Sequence, residues 1–176
     1  MSKFYPLTIA DVRQETRDTI VATFAVPASL RERFAFTQGQ HLTLRATING
    51  VDLRRSYSIC SAVQDADLRV AIKRTPGGQF STWANDTLKP GVGVEVMPPM
   101  GHFNLPLSAD HRKRYLAFAA GSGITPMLSI IKTTLVVARS GPPCVMTLTW
   151  SKSPSAWMVM VTRTRVRVCL RPGQVT

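Results

Sequence analysis

The sequence predicts a small antiparallel β-barrel with one helix, followed by an α/β unit that opens with a strand, a glycine turn and a helix. Three observations carry this. Apolar residues alternate at period two through most of the first hundred positions. One short stretch among them switches to helical spacing. A continuous apolar run, Tyr115-Leu116-Ala117-Phe118-Ala119-Ala120, then leads directly into Gly121-Ser122-Gly123. A chain of 176 residues with 44% hydrophobic content can pack one domain and part of a second.

Residues 7–12 supply the first strand. In the second, Ile20, Ala22, Phe24 and Val26 alternate with Val21, Thr23 and Ala25. In the third, Leu42, Leu44, Ala46 and Ile48 alternate with Thr43, Arg45 and Thr47. Asn49-Gly50 follows, and both residues tolerate positive φ, so a two-residue hairpin leads into a fourth strand over 53–59. Leu68, Val70 and Ile72 mark the fifth, and Val92, Val94 and Val96 the sixth. Period two at this density means antiparallel strands with one buried face, and a closed barrel hides their edges.

The helix of this half comes between the fifth and sixth strands. Phe80, Trp83, Ala84 and Leu88 fall at helical spacing, and Lys89-Pro90-Gly91 ends it. Pro98-Pro99-Met100-Gly101 breaks the strand pattern, which sets the barrel at residues 1–107 with Asp110-His111-Arg112-Lys113-Arg114 as linker. The run at 115–120 suits a buried parallel strand. Pro126 is expected at the first position of the next helix, where Met127, Ile130, Ile131 and Leu135 keep helical spacing. Residues 108–135 therefore read as the start of an α/β domain. Beyond Leu135 no strand convinces. Residues 145–150 and 157–161 are candidates, separated by a loop with Pro154.

The net charge of +12 divides unevenly. Residues 1–135 hold 16 Lys/Arg and all 10 Asp/Glu, whereas 136–176 hold 6 Lys/Arg and no acid. That makes 136–176 an aberrant or poorly folded basic tail in this reading. No basic cluster interleaved with aromatics is present, which argues against nucleic-acid binding. No run approaches the roughly 20 apolar residues of a membrane span, and no leader pattern opens the chain. Cys60, Cys144 and Cys169 are too scattered for a disulfide framework and too few for a four-thiolate 2Fe-2S cluster. The expectation is a reduced, cytoplasmic protein.

Arg55-Ser56-Tyr57-Ser58 is the most informative segment. A guanidinium pairs bidentately with phosphate, a Tyr ring covers a flat heterocycle, and a Ser hydroxyl bonds a ring nitrogen. Read plainly, it is a surface Arg beside a core Tyr. Gly77-Gly78-Gln79-Phe80-Ser81 begins the barrel's helix, where bare N–H groups favour a phosphate. Ser81 is either a helix cap or a phosphate donor. Gly121-Ser122-Gly123 repeats the logic for a second nucleotide, without a third glycine or a ribose-gripping acid. His41, His102 and His111 lack metal spacing, and no metal site is expected. Cys60 reads as a buried small hydrophobe and Trp83 as helix core.

These residues resemble the ferredoxin–NADP reductase superfamily and, within it, the reductase subunits of phenylacetyl-CoA epoxidase complexes of phenylacetate catabolism. The resemblance spans residues 4 to 135. It is carried by Arg-Ser-Tyr-Ser-Ile-Cys-Ser at 55–61, Ala-Ile-Lys-Arg at 71–74, Phe-Ser-Thr-Trp-Ala-Asn at 80–85, Val-Met-Pro-Pro-Met-Gly at 96–101 and Ala-Gly-Ser-Gly-Ile-Thr-Pro at 120–126. Residues 128–135 add to the epoxidase likeness. The resemblance implies FAD in an FR-type barrel at 1–107, held by Arg55 at the diphosphate, Tyr57 on the isoalloxazine and Ser58 at N5. Ile72 and Lys73 offer backbone there, and Gly78, Gln79 and Ser81 complete the phosphate site. Gly121, Gly123 and Thr125 begin a Rossmann-like NAD(P)-binding domain, and Tyr57, Ser58 and Thr125 stand nearest the chemistry. That chemistry is hydride transfer from nicotinamide to flavin, with electrons leaving through a 2Fe-2S domain to a di-iron oxygenase partner.

Two departures from the family stand out. Phe36-Thr37-Gln38-Gly39-Gln40 carries Gln38 where the family has Pro, an expected loss of loop rigidity. The resemblance is also expected to stop at Leu135, so the chain reads as truncated and impaired, without the 2Fe-2S domain. The alternatives are a non-catalytic flavin-binding fragment, or the reductase of another oxygenase or a flavohaemoglobin.

Overall fold

The computed structural model describes residues 3–108, 114–119, 121–138, 145–149, 158–162 and 165–169. Six strands form the first sheet: β1 (Tyr5–Thr16), β2 (Thr19–Ala25), β3 (His41–Ile48), β4 (Val51–Ser58), β5 (Leu68–Lys73) and β6 (Gly93–Val96). All six are the expected ones. They lie in the order β4-β3-β6-β1-β2-β5, with antiparallel pairing between every neighbour. An isolated bridge from Ile59 to Val70 brings the two outer strands together and closes the barrel.

Alternation decides which residues fill it. Leu7 and Ile9, Ile20 and Phe24, Leu42 and Leu44, and Val70 and Ile72 are all buried in one cluster. Each such side chain contributes about 1.5–3 kcal/mol by leaving water. Helix α1 (Gln79–Thr87) caps the cluster with Phe80 and Ala84, and Leu88 is buried just beyond its end. The β3–β4 register runs from His41–Ser58 to Ile48–Val51 and closes on Asn49 and Gly50, at φ 50° and 76°. This is the hairpin the Asn-Gly pair predicts.

The second unit holds β7 (Arg114–Phe118), a 3-10 turn at Gly121–Gly123 and α2 (Ile124–Ala138). Pro126 is the third residue of α2, not the first, because the 3-10 turn runs straight into the helix. Proline is tolerated there, since first-turn N–H groups have no intrahelical acceptor. Strand β8 (Val145–Thr149) then pairs parallel to β7, so a second parallel strand does follow α2. Strands β9 (Met158–Thr162) and β10 (Arg165–Cys169) continue the sheet antiparallel. The candidates at 145–150 and 157–161 are thus β8 and β9. Strand β10 falls in a basic run where the charge pattern predicts none. Val166 and Val168 alternate with arginines there, and missing acids say nothing against a strand.

The two units touch at the 37–40 loop. Gly39 has φ +86°, and a Cβ on it would lie 1.8 Å from the Phe103 carbonyl oxygen and 3.2 Å from Ile130 Cδ1 of α2. Gln38 is buried, and its Nε2 donates to the Leu105 carbonyl at 2.5 Å. The proline's absence therefore does not leave the loop slack: a side-chain hydrogen bond ties it down. No helix among the described residues is long and apolar enough to cross a membrane.

Candidate functional site

Strand β4 holds an inconsistency that marks the site. Arg55 faces Leu44 and Tyr57 faces Leu42 across the β3–β4 pair, so both lie on the sheet's core side. Yet Arg55 is exposed and Tyr57 is only half-buried. The core side opens to solvent here because β4 is an outer strand of the sheet, and the Ile59–Val70 bridge toward β5 comes only after β4 has ended at Ser58.

Around this mouth the aromatics stack in sequence. The Tyr57 and Phe80 ring centroids are 6.0 Å apart at 36°, and Phe80 and Trp83 are 5.3 Å apart at 62°. Trp83 is therefore helix packing, as expected. Arg55 Nη1 donates to the neighbouring Arg54 carbonyl at 2.6 Å, and among the described residues no carboxylate pairs with it. Arg54, on the opposite face, is 3.8 Å from Asp52 and lies over the Phe4 ring. Burial pushes the Tyr57 phenol above its usual pKa, against the opposing pull of Arg55. Ser58 is half-buried at the end of β4.

The turn into α1 is built by side chains. The Thr75 N–H donates to Ser81 Oγ at 3.0 Å, and the Ser81 hydroxyl donates to the Gly78 carbonyl at 3.3 Å. The helix N-cap is Gly78, with no side-chain cap. Ser81 is therefore not the cap: its hydroxyl reaches back and locks the turn. Gly77 has φ +71° and open space around it. A Cβ on Gly78 would sit 2.6 Å from Ser81 Oγ and 3.0 Å from the Thr75 carbonyl. The first-turn N–H groups of Gln79, Phe80 and Ser81 have no intrahelical acceptor and carry the positive end of the helix dipole. Ile48, Asn49, Gly77, Gly78, Gln79 and Thr82 line a depression of about 350 Å³ between the helix start and the β3–β4 hairpin.

Helix α1 is tied by side chains to strand β5 and to Arg74 just after it. Asn85 Nδ2 donates to the Ile72 carbonyl at 3.2 Å and to the Ser81 carbonyl at 2.8 Å. Arg74 pairs with Asp86, whose carboxyl that hydrogen bond holds below the usual range. Ile72 is fully buried, while Lys73 is exposed, 3.4 Å from Asp18.

The second glycine turn is barer. Gly121 has φ +54°, and among the described residues nothing lies within 4 Å of a Cβ on Gly121 or Gly123. Thr125 Oγ1 donates to the Ser122 carbonyl at 2.8 Å. Further along α2, Lys132 Nζ donates to the Cys60 carbonyl at 3.3 Å, and Thr133 Oγ1 accepts the Val63 N–H at 3.1 Å.

Cys60 is packed as the small buried side chain the sequence suggests. Its thiol lies 3.5 Å from the Arg69 carbonyl and is pushed up in pKa by burial. His41 pairs with Ser58 across β3–β4 and His102 is exposed, and no metal-binding cluster exists among the described residues. His111 and Cys144 lie outside those residues. Sequence reasoning missed Gln38 as an anchor, Thr75 as Ser81's partner, and the bonds of Lys132 and Thr133. None has a local signal, because each partner is six or more residues away.

Residues 6–105 match a family model described as the oxidoreductase FAD-binding domain. The chain is 46% identical over 159 residues to a component of the 1,2-phenylacetyl-CoA epoxidase of Escherichia coli K12, covering 90% of this chain and 44% of that protein. It is 44% identical over 131 residues to the ferredoxin reductase component of 3-ketosteroid-9-alpha-monooxygenase from Rhodococcus rhodochrous, covering 73% and 36%. Among solved structures, phthalate dioxygenase reductase superposes with a TM-score of 0.62 at 30% identity, over 84% of this chain and 43% of its own. The chain spans less than half the length of each of these relatives. An aligned stretch covering 90% of 176 residues cannot end at residue 135. The similarity to the epoxidase component therefore continues beyond Leu135, which corrects the expected stopping point.

Proposed function

The chain belongs to the oxidoreductase FAD-binding domain family, and from that premise we propose that it is the flavin half of an NAD(P)H-dependent electron-transfer reductase. One observation carries the reading: the Arg55 cation and the Tyr57 ring open onto the core side of β4, beside the free N-terminus of α1. The fit to FAD is chemical. Arg55 lacks a carboxylate partner among the described residues, α1 offers three N–H groups, and position 78 has no room for a Cβ.

In this reading Arg55 and the N–H groups of Gln79, Phe80 and Ser81 hold the diphosphate, with Gly78 giving close approach. Tyr57 covers the ring system. Like any tyrosine it is neutral near pH 7, and burial pushes its pKa further up, so it adds no charge there. Ser58 offers a hydroxyl to a ring nitrogen, and Ile72 and Lys73 supply backbone. Phe80 and Trp83 exclude water from the inner side. Gly121, Gly123 and Thr125 receive the nicotinamide nucleotide. When bound, FAD supplies the acceptor for a hydride and passes electrons on one at a time.

The proposed division places the FAD-binding barrel at 1–107 and the nicotinamide-binding unit from 108 onward. The likeness to the epoxidase component and to the monooxygenase reductase component supports an oxygenase as electron acceptor, in phenylacetyl-CoA epoxidation. Titration with FAD tests the first step: a bound-flavin spectrum is expected, and its absence overturns the proposal. Anaerobic bleaching by NADH or NADPH then separates a working reductase from a flavin-binding module that does not turn over.

A further inference from the structure

The geometry points to Lys132 and Thr133 of α2 as positioning residues that set the end of the β4 strand relative to the Gly121-Ser122-Gly123 turn. Neither residue lies at the proposed flavin or nicotinamide contacts. Both bond to the connection that leaves β4. Strand β4 ends at Ser58, and Ile59 is pinned by its N–H to the Gln40 carbonyl at 2.9 Å. Cys60 follows, and its carbonyl accepts from Lys132 at 3.3 Å. Three residues later the Val63 N–H donates to Thr133 Oγ1 at 3.1 Å. Thr133 is only 3% exposed, so no water competes for that bond.

The connection is stiff in its own right. The Cys60 N–H donates to the Arg69 carbonyl at 2.9 Å, and the Arg69 N–H to Ser61 Oγ at 3.3 Å. The Asp65 carboxylate accepts the Ala62 N–H at 3.0 Å and pairs with Arg69 at 2.9 Å. A knitted segment transmits displacement where a slack loop would absorb it. On the other side, Thr125 lies eight residues before Thr133 on one helix, about 12 Å away at 1.5 Å per residue. Two short rigid arms therefore meet at two hydrogen bonds. One arm carries Tyr57 and Ser58, the other Thr125. Hydride transfer tolerates little misplacement, so these bonds govern how the two reacting rings face each other.

This inference rests on the proposed flavin and nicotinamide roles, and its test has an arm that does not. Amide exchange is measured over residues 60–65, together with the visible circular dichroism of bound FAD and its dissociation constant. The parent is compared with Thr133→Val, Thr133→Ser and Lys132→Met. Thr133→Val is expected to speed exchange of the Val63 amide at least tenfold and to alter the flavin dichroism. FAD affinity should stay within twofold, and Thr133→Ser should restore both signals. Lys132→Met, at a partly exposed position, is expected to shift the dichroism as well, and it decides the matter should Thr133→Val fail to fold. Unchanged dichroism with a loosened Val63 amide overturns the proposal, as does a uniform rise of exchange through β3 and β5. A parent that binds no FAD refutes the proposed function. In that case unchanged exchange at 60–65 in Lys132→Met overturns the clamp, and faster exchange confined there supports it.

Discussion

Two glycine turns start two helices in this chain, and they are made differently. Before α1, the Ser81 hydroxyl bonds Thr75 and Gly78, and a Cβ at Gly78 would clash with Ser81 Oγ at 2.6 Å. Before α2, the glycines have no neighbour within 4 Å of a Cβ among the described residues, and Thr125 bonds back to the Ser122 carbonyl. The first turn is shaped from within, so its geometry survives whatever its neighbours do. The second takes its placement from outside, through the contacts of α2 with residues 60–63. A phosphate site that must exist before any ligand arrives is best built the first way.

The comparison can be broken most directly at Arg55. Arg55→Ala is expected to weaken FAD binding by about 1.5–3 kcal/mol, the range for hydrogen bonds to a charged group, with little loss of fold stability. Fluorescence titration of the flavin measures it, and an unchanged dissociation constant would place the diphosphate elsewhere. Gly78→Ala comes next. A methyl group 2.6 Å from Ser81 Oγ forces the turn apart, at about 1–3 kcal/mol of stability by denaturant titration, with weaker flavin binding alongside. Ser81→Ala removes the acceptor of the Thr75 N–H and should cost about 1 kcal/mol in the same assay. Gly123→Ala, by contrast, meets nothing among the described residues and should change stability by less than about 0.5 kcal/mol. It should leave FAD affinity alone while raising the nicotinamide concentration needed for bleaching. Equal losses at positions 78 and 123 would erase the distinction between the turns.

The smallest effect is on acid stability. Glu95 accepts two bonds from Arg45, at 2.7 and 2.8 Å, and is held below its usual carboxyl pKa. Asp86 is lowered in the same way by Arg74. A carboxyl depressed in the folded state stabilises above its unfolded value, and that contribution fades as pH falls through the folded one. Stability should thus hold from neutral pH down to the ordinary carboxylate range and decline below it. Glu95→Gln should flatten part of the decline. Nine of the ten acids lie in residues 1–107, so the slope reports on the barrel.

Much of this was legible beforehand, for physical reasons. Every barrel strand announced itself, because one buried face imposes period two on Ile20, Ala22 and Phe24 as on Leu68, Val70 and Ile72. Arg55, Tyr57 and the 77–81 turn could be found because their chemistry is local. What stayed hidden was of two kinds. Strand β10 does carry period-two contrast, Val166 and Val168 against Arg165 and Arg167, but net charge masked it: a run without acids looks unbalanced, although charge balance does not decide strand formation. The tethers from Gln38, Lys132 and Thr133 join residues more than sixty positions apart, and no local pattern records such a meeting.

The β3–β4 hairpin has a consequence for what this sequence can tolerate. Adjacent arginines serve opposite sides of β4: Arg55 opens inward with Tyr57, while Arg54 lies outward over Phe4. Their assignment depends on one count, the two residues Asn49 and Gly50 at the tip. Adding or deleting a single residue there would slide the strand by one place, turning Arg55 and Tyr57 to the outside and Arg54 and Ser56 to the mouth. Changes by two would keep the sides. The tip is thus free to vary in identity and even in reach, but only in even steps: an arithmetic constraint on insertions, imposed by a turn that touches neither residue it keeps in place.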